Sequence, residues 1–122
     1  VYILTTSATC SASESVVNGL RGGDVEVVLI GTTTCGKPFG FYPQDNCGET
    51  YFTIQFQGVN NKGFGDYADG FTPQNMPAAH GVRAPGCAVS DDLRGELGEP
   101  GEALLTAALN YRASGVCPPP TI

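Results

Sequence analysis

Two short motifs carry the residues that could do chemistry in this 122-residue chain. Ser11 lies in the first, residues 9–14 (TCSASE), and Lys37 lies in the second, residues 31–38 (GTTTCGKP). A serine hydroxyl becomes a nucleophile when an adjacent base takes its proton, and a lysine amine can be that base once desolvation lowers its pKa. The two residue types together predict a Ser/Lys dyad for acyl transfer, provided that the fold brings the motifs together.

The segments around the motifs have the pattern of a βαβ unit. Residues 1–5 are β-branched and aromatic, and residues 25–30 form an apolar run, apart from Glu26, that is typical of a strand covered on both faces. Between them, an S-x-x-E signature at Ser11 predicts a helix of about nine residues that ends at a Gly-Gly pair. Loops after parallel strands leave one edge of the sheet, so Ser11 and Lys37 are expected to be neighbours. A second helix is predicted over residues 102–112, where apolar residues share one face.

The first helix is expected to begin at Ala12, whose backbone N–H would point at an oxyanion formed beside the serine. Simpler interpretations exist for each residue. Ser11 and Glu14 can form only a capping box, which stabilises a helix by about 1 kcal/mol. Lys37 can be a solvated loop lysine, and His80 offers the alternative of a Ser-His triad.

The middle of the chain shows two further patterns. Residues 51–57 alternate between apolar and polar positions, which predicts a half-buried strand with Phe52, Ile54 and Phe56 toward the core. Residues 58–87 are rich in turn-forming residues and predict a long structured loop.

Composition excludes several classes of function. Lys and Arg number 6 against 12 Asp and Glu, and the formal net charge of −6 has the wrong sign for a phosphate backbone. Nucleic acid is therefore not expected as a partner. The apolar runs are far shorter than the roughly 20 residues of a membrane-spanning helix, so no transmembrane segment is predicted. Neither zinc-ligand spacing nor an EF-hand pattern at residues 66–70 is present, so neither a metal nor a cofactor is predicted.

The five cysteines favour an oxidising compartment with two disulfides and one free thiol. Cys35 and Cys47 bracket the lysine of the second motif, and Cys87 and Cys117 bracket the last helix, so these are the predicted pairs. Cys10 is then the free thiol. A Cys10–Cys35 bridge is the main competing assignment, because both cysteines lie beside the catalytic candidates.

Residues 9–14 resemble the T/G-x-S-A-S-E nucleophile motif of the C-terminal processing, or tail-specific, serine peptidases. Residues 31–38 are similar to the G-x-x-T-x-G-K loop of the same family, in the same order and at a fitting spacing. By this resemblance Ser11 is the nucleophile and Lys37 is the general base. Phe41 stands where some members have a glutamine that orients the lysine, so no third catalytic residue is assigned.

The resemblance implies a partial α/β domain, with ClpP/crotonase-like βαβ units and a mostly parallel sheet. Residues 1–122 would be the carboxyl-terminal part of a serine peptidase catalytic domain. Segments 65–73 and 91–98 also look like lipoprotein-type members. The PDZ domain and the glycine-rich strand end of the family are absent, and the chain begins in mid-strand, so the upstream half of a longer protein is expected as a partner.

The expected function is that of a serine endopeptidase that cleaves polypeptides near their C-terminus through an acyl-enzyme. The resemblance places it in an exported bacterial protein, periplasmic or associated with the outer membrane. This chain alone is expected to be inactive, because part of the oxyanion hole would lie upstream. The alternative is a catalytically silent binding or structural module on the same scaffold. An acyl-CoA enzyme of the crotonase group is a third interpretation, which the Gly-Lys pair weakens.

Overall fold

The computed structural model describes residues 1–78 and 80–121. The chain contains both helices and strands, and three parallel strands form the central sheet. In chain order the elements are β1 (Tyr2–Thr5), α1 (Ala12–Gly22), β2 (Val28–Gly31), β3 (Phe39–Gly40), β4 (Gln44–Asn46), β5 (Glu49–Tyr51), β6 (Phe56–Gln57), β7 (Phe71–Pro73), β8 (Val82–Ala84), β9 (Gly86–Ala88) and α2 (Ala103–Ser114).

The central sheet has the strand order β1-β2-β9, and both pairings are parallel. Thr5 at the end of β1 lies opposite Gly31 at the end of β2, so the loops toward the two motifs leave the same edge. Helix α1 connects β1 to β2, which confirms the predicted βαβ unit. Of the predicted α/β class, the structure confirms a mixture of helices and strands with parallel sheet pieces.

Strand β2 is apolar throughout because both of its faces are covered. Val28 and Ile30 belong to a core cluster with residues of α2 and β9, including Leu104. Leu29 points to the opposite face and joins a second cluster, which contains Phe71. Because the side chains of β2 alternate between two cores, none of them faces water, and each position is therefore apolar or glycine.

Helix α2 has clear signals at both ends. The carboxylate of Glu102 accepts hydrogen bonds from the N–H groups of Leu104 and Leu105, at 3.0 and 2.8 Å. Gly115 ends the helix with φ of 70°, a conformation that glycine adopts without strain. A disulfide between Cys87 in β9 and Cys117 ties the segment after the helix to the sheet. None of the helices in the described residues is long and apolar enough to cross a bilayer.

Residues 39–57, here called the arm, depart from the predicted half-buried strand. β3 pairs with β6, and β4 pairs with β5, all antiparallel and within the arm itself. Phe52, Ile54 and Phe56 are 57, 62 and 47% exposed. The prediction that they face the core is wrong, because no helix or sheet layer in the described part of the chain covers this segment.

The stretch 58–87 also differs from the predicted loop. β7 and β8 form a parallel pair, with Phe71 opposite Val82 and Pro73 opposite Ala84, and β9 begins at Gly86. These strands are three residues each. Such short strands lack the periodic apolar pattern by which sequence predicts a strand.

Candidate functional site

Ser11 occupies a strained turn between β1 and α1. Its φ of 53° and ψ of −110° place a non-glycine residue at positive φ, directly before the first residue of the helix, Ala12. Such conformations persist only when the surrounding structure enforces them, and they concentrate at functional sites. A serine on a sharp strand-to-helix turn is also the arrangement that presents a nucleophile in hydrolases.

The second motif follows β2 and is hydrogen-bonded to the strand β7. Thr34 is buried, its N–H donates to the carbonyl of Phe71 at 2.9 Å, and its hydroxyl accepts from the N–H of Phe71 at 2.8 Å. Gly36 has φ of +81°, and a Cβ there would collide with the backbone of Ala68. Glycine is therefore required at the position before Lys37 for two reasons, backbone conformation and space.

The carboxylate of Glu14 joins the two motifs. It is fully buried, and its Oε1 accepts from the Thr34 hydroxyl at 2.5 Å and from the Gly36 N–H at 2.7 Å. Its Oε2 accepts from the N–H groups of Lys37 and Ser11, at 2.8 and 3.0 Å. A buried carboxylate is tolerated when several donors surround it, and here the donors come from both motifs. Glu14 thereby holds the backbones of Ser11 and Lys37 to the same group.

Two more contacts join the loops. The N–H of Cys35 donates to the carbonyl of Thr9 at 3.0 Å, and Cys10 and Cys35 form a disulfide with a Cα–Cα distance of 5.3 Å. The predicted Cys35–Cys47 bridge and a free Cys10 are therefore wrong. Cys10 and Cys35 lie close together because their loops leave the same edge of the sheet. Cys47 is instead a free, exposed thiol in the turn between β4 and β5.

The side chains of the proposed dyad make no hydrogen bond to each other in the described part of the chain. Lys37 is exposed, and its Nζ lies 5.5 Å from the centre of the Phe41 ring, a cation–π arrangement. Within residues 1–78 and 80–121, no hydrogen bond joins the Ser11 hydroxyl to the Lys37 ammonium. Catalytic hydrogen bonds are often long in unliganded enzymes and tighten with substrate, so the dyad contact stays a prediction.

The other candidate groups have simple surroundings. Ala12 is exposed at the N-terminus of α1, and its N–H has no acceptor in the described part of the chain. His80 is exposed, and no side-chain hydrogen bond to it is found among these residues. The same residues contain no group of three or more His, Cys, Asp or Glu side chains that could hold a metal ion.

Sequence reasoning missed the role of Glu14 and the contribution of Thr34. Glu14 was interpreted through the capping signature alone, which accounts for its bond to the Ser11 N–H. Its contacts to Thr34, Gly36 and Lys37 depend on the neighbouring strand, and no local signal reports them. Glu14 and Thr34 both lie in the two motifs, but nothing in the sequence indicates that they contact each other.

Comparison with known proteins identifies a similar fold. No protein-family model matches the chain, and no curated protein matches it. A crystal structure named "Putative S41 protease" from Bacteroides fragilis NCTC 9343 matches with a TM-score of 0.71 and 28% sequence identity. The match covers 94% of this chain. The chain has a peptidase-like scaffold. It spans only 28% of the length of that protein.

Proposed function

We propose that this chain is the carboxyl-terminal part of a serine endopeptidase catalytic domain, with Ser11 as nucleophile and Lys37 as general base. The observation that carries the proposal is that the buried carboxylate of Glu14 accepts hydrogen bonds from the backbone of both residues. A shared partner limits how far the two loops can separate. The likeness to a protease structure supports the same reaction class.

The proposed reaction is acyl transfer in two steps. The Ser11 hydroxyl oxygen attacks the scissile carbonyl carbon while its proton passes to the amine of Lys37. The carbon–nitrogen bond then breaks, and the leaving amine takes that proton from the lysine. Water attacks the resulting ester by the reverse path, which releases the acid and restores Ser11.

The negative charge on the carbonyl oxygen needs donors, and Ala12 supplies one. Its N–H has no acceptor in the described residues and lies at the positive end of the α1 dipole. The second donor is proposed to come from the upstream half of the protein. Losing one such donor typically lowers the rate by about 100- to 1,000-fold, so the chain alone is expected to be inactive.

The finer features of the proposal follow from the motif resemblance. They are a fold related to the ClpP/crotonase group, cleavage of polypeptides near their C-terminus, and export to the bacterial periplasm or outer membrane. Two disulfides in a chain of this length support an oxidising compartment.

One observation favours the alternative, a catalytically silent module on the peptidase scaffold. Lys37 is exposed, its ammonium lies 5.5 Å from the centre of the Phe41 ring, and within the described residues it makes no hydrogen bond to the Ser11 hydroxyl. A lysine that kept this position would make no hydrogen bond to the serine through which the proton could pass. The two proposals therefore differ in whether Ser11 is more reactive than an ordinary serine.

A fluorophosphonate probe distinguishes these proposals, because it reacts with activated serines. The probe is applied to the longer protein that contains this chain, and mass spectrometry identifies the labelled residue. Ser11→Ala is compared with Ser13→Ala, an exposed serine two residues later, and Lys37→Ala is compared with Lys62→Ala, an exposed lysine paired with Asp24.

We expect labelling at Ser11 that survives Ser13→Ala and Lys62→Ala. Lys37→Ala should slow it by about 100- to 10,000-fold, the usual contribution of a general base. Absence of labelling at Ser11 in the unmodified longer protein would support the silent module instead.

A further inference from the structure

A disulfide joins the two motifs beside the proposed catalytic residues. Cys10 directly precedes Ser11, and Cys35 lies two residues before Lys37. The N–H of Cys35 donates to the carbonyl of Thr9, so a covalent bond and a backbone hydrogen bond connect the same two loops. This disulfide therefore lies at the site, whereas the other one ties the end of the chain to the sheet.

The lysine loop depends on such a link more than the serine does. Ser11 opens helix α1, and its carbonyl accepts the first backbone hydrogen bond of that helix from Ser15 at 2.9 Å. Lys37 lies in neither a helix nor a strand, its side chain is exposed, and its N–H is held by Glu14. With the disulfide open, hydrogen bonds to Glu14 and to the carbonyl of Thr9 would be the remaining direct links between the lysine loop and the serine side.

The two disulfides differ in access to solvent. Cys35 is exposed and Cys10 is half-buried. Cys87 is fully buried in a core cluster, against which its partner Cys117 also packs. Because a thiolate must reach a sulfur atom to open a disulfide, a reductant should open Cys10–Cys35 before Cys87–Cys117.

We infer that the Cys10–Cys35 disulfide is a positioning link that sets the reactivity of Ser11, and that a dithiol reductant regulates the site by opening it. The inference deepens the proposed function and rests on it. One thiolate of the reductant attacks a sulfur of the disulfide to form a mixed disulfide, and its second thiol displaces the remaining cysteine. The reductant loses two electrons and becomes a disulfide, and Cys10 and Cys35 become protonated thiols.

The experiment measures the fluorophosphonate labelling rate of the longer protein during titration with dithiothreitol. All proteins carry Cys47→Ser, so that the free thiol cannot exchange with either disulfide. Alkylation and peptide mapping show which disulfide is open at each concentration. The double variant Cys10→Ala/Cys35→Ala is compared with its matched control, Cys87→Ala/Cys117→Ala.

We expect labelling of Ser11 to fall by about 10- to 100-fold as Cys10–Cys35 opens, since small displacements of a catalytic group have effects of this size. Removing the reductant and re-oxidising the protein should restore the rate. Cys10→Ala/Cys35→Ala should be slow and insensitive to reductant, whereas Cys87→Ala/Cys117→Ala should still respond. Reversal on re-oxidation distinguishes positioning from loss of folded protein.

Equal labelling with the Cys10–Cys35 disulfide open and closed would overturn the inference. Hydrogen exchange at the amides of Gly36 and Lys37 tests the positioning separately from chemistry, because both amides donate to Glu14. Exchange about tenfold faster after reduction would support the positioning link, and unchanged exchange would contradict it. If Ser11 is never labelled but the amides of Gly36 and Lys37 exchange faster after reduction, the proposed enzyme is disproved while the disulfide still holds the lysine loop in place.

Discussion

Two segments on either side of Lys37 both carry large apolar side chains but lie in different surroundings. Strand β2, before it, is buried at every position and has a parallel neighbour on each side. The arm, after it, has exposed aromatic and aliphatic residues, and in the described residues its strands pair only with one another. The comparison shows that an apolar pattern indicates which side chains share a face, and that only the neighbouring layers decide whether the face is buried.

The same contrast applies to polar groups. Glu14, on the helix beside β2, is fully buried and accepts hydrogen bonds from both motifs. Glu49, in the arm, is exposed, and the hydroxyl of Tyr51 donates to it at 3.5 Å. The same type of side chain should therefore contribute much more to stability around β2 than in the arm. The following matched substitutions test this difference, with stability measured as the free energy of unfolding in urea.

The largest difference is expected between two phenylalanines. Phe71 is fully buried, with its ring 4.7 Å from that of Tyr67, whereas Phe52 in the arm is 57% exposed. Phe71→Ala should destabilise the fold by about 4 kcal/mol through lost burial and the cavity left behind. Phe52→Ala should cost less than about 1 kcal/mol. Equal losses would show that the arm is as well packed as the core.

Glu14→Ala is expected to lower the free energy of unfolding by about 3 kcal/mol. The substitution leaves the N–H groups of Ser11, Gly36 and Lys37 and the hydroxyl of Thr34 without their acceptor. Glu49→Ala is the control in the arm and should change stability by no more than about 0.5 kcal/mol. A loss for Glu14→Ala no greater than this control would contradict the role of the buried carboxylate.

Alanine substitutions at two glycines distinguish the cost of a positive φ from the cost of a steric clash. Gly36 and Gly48 have nearly equal φ, +81° and +80°, but a Cβ at Gly36 meets the backbone of Ala68 while a Cβ at Gly48 meets nothing within 4 Å. Both alanine variants should lose about 1 kcal/mol from positive φ. Gly36→Ala should lose about 2 kcal/mol more through the clash. Identical unfolding curves for the two variants would remove crowding as an explanation.

The smallest effect is expected for a polar replacement in the arm. Ile54 is 62% exposed, so Ile54→Ser should change the free energy of unfolding by no more than about 0.5 kcal/mol. Leu29→Ser, at a fully buried position of β2, is the comparison and should be severely destabilising. A large loss for Ile54→Ser would mean that the arm is covered in solution.

The parts predicted correctly have local causes. The βαβ unit follows from a capping signature, an apolar helix face and a doubly buried strand, all of which are encoded within a few residues. Helix α2 was predicted over residues 102–112 and extends over Ala103–Ser114. The shared edge for the two motifs followed from the parallel connection alone.

The parts predicted wrongly depend on distant partners. The alternation at residues 51–57 resembles that of a half-buried strand, but among residues 1–78 and 80–121 no second layer faces it. Cys35 was assigned to Cys47 because the two are close in sequence, whereas its partner Cys10 is 25 residues away and opposite it across the sheet edge. The parallel pair β7–β8 is too short to show a period of its own.

Residue types, their spacing and short-range periodicity are enough to nominate the candidate reactive residues, to place them on their elements, and to predict that both loops leave one edge of a parallel sheet. The folded structure shows that Glu14 is the common acceptor for Ser11 and Lys37, that Cys10 is bonded to Cys35, and that the arm is exposed. Each of these depends on contacts between residues far apart in the chain, and such contacts leave no pattern in local sequence.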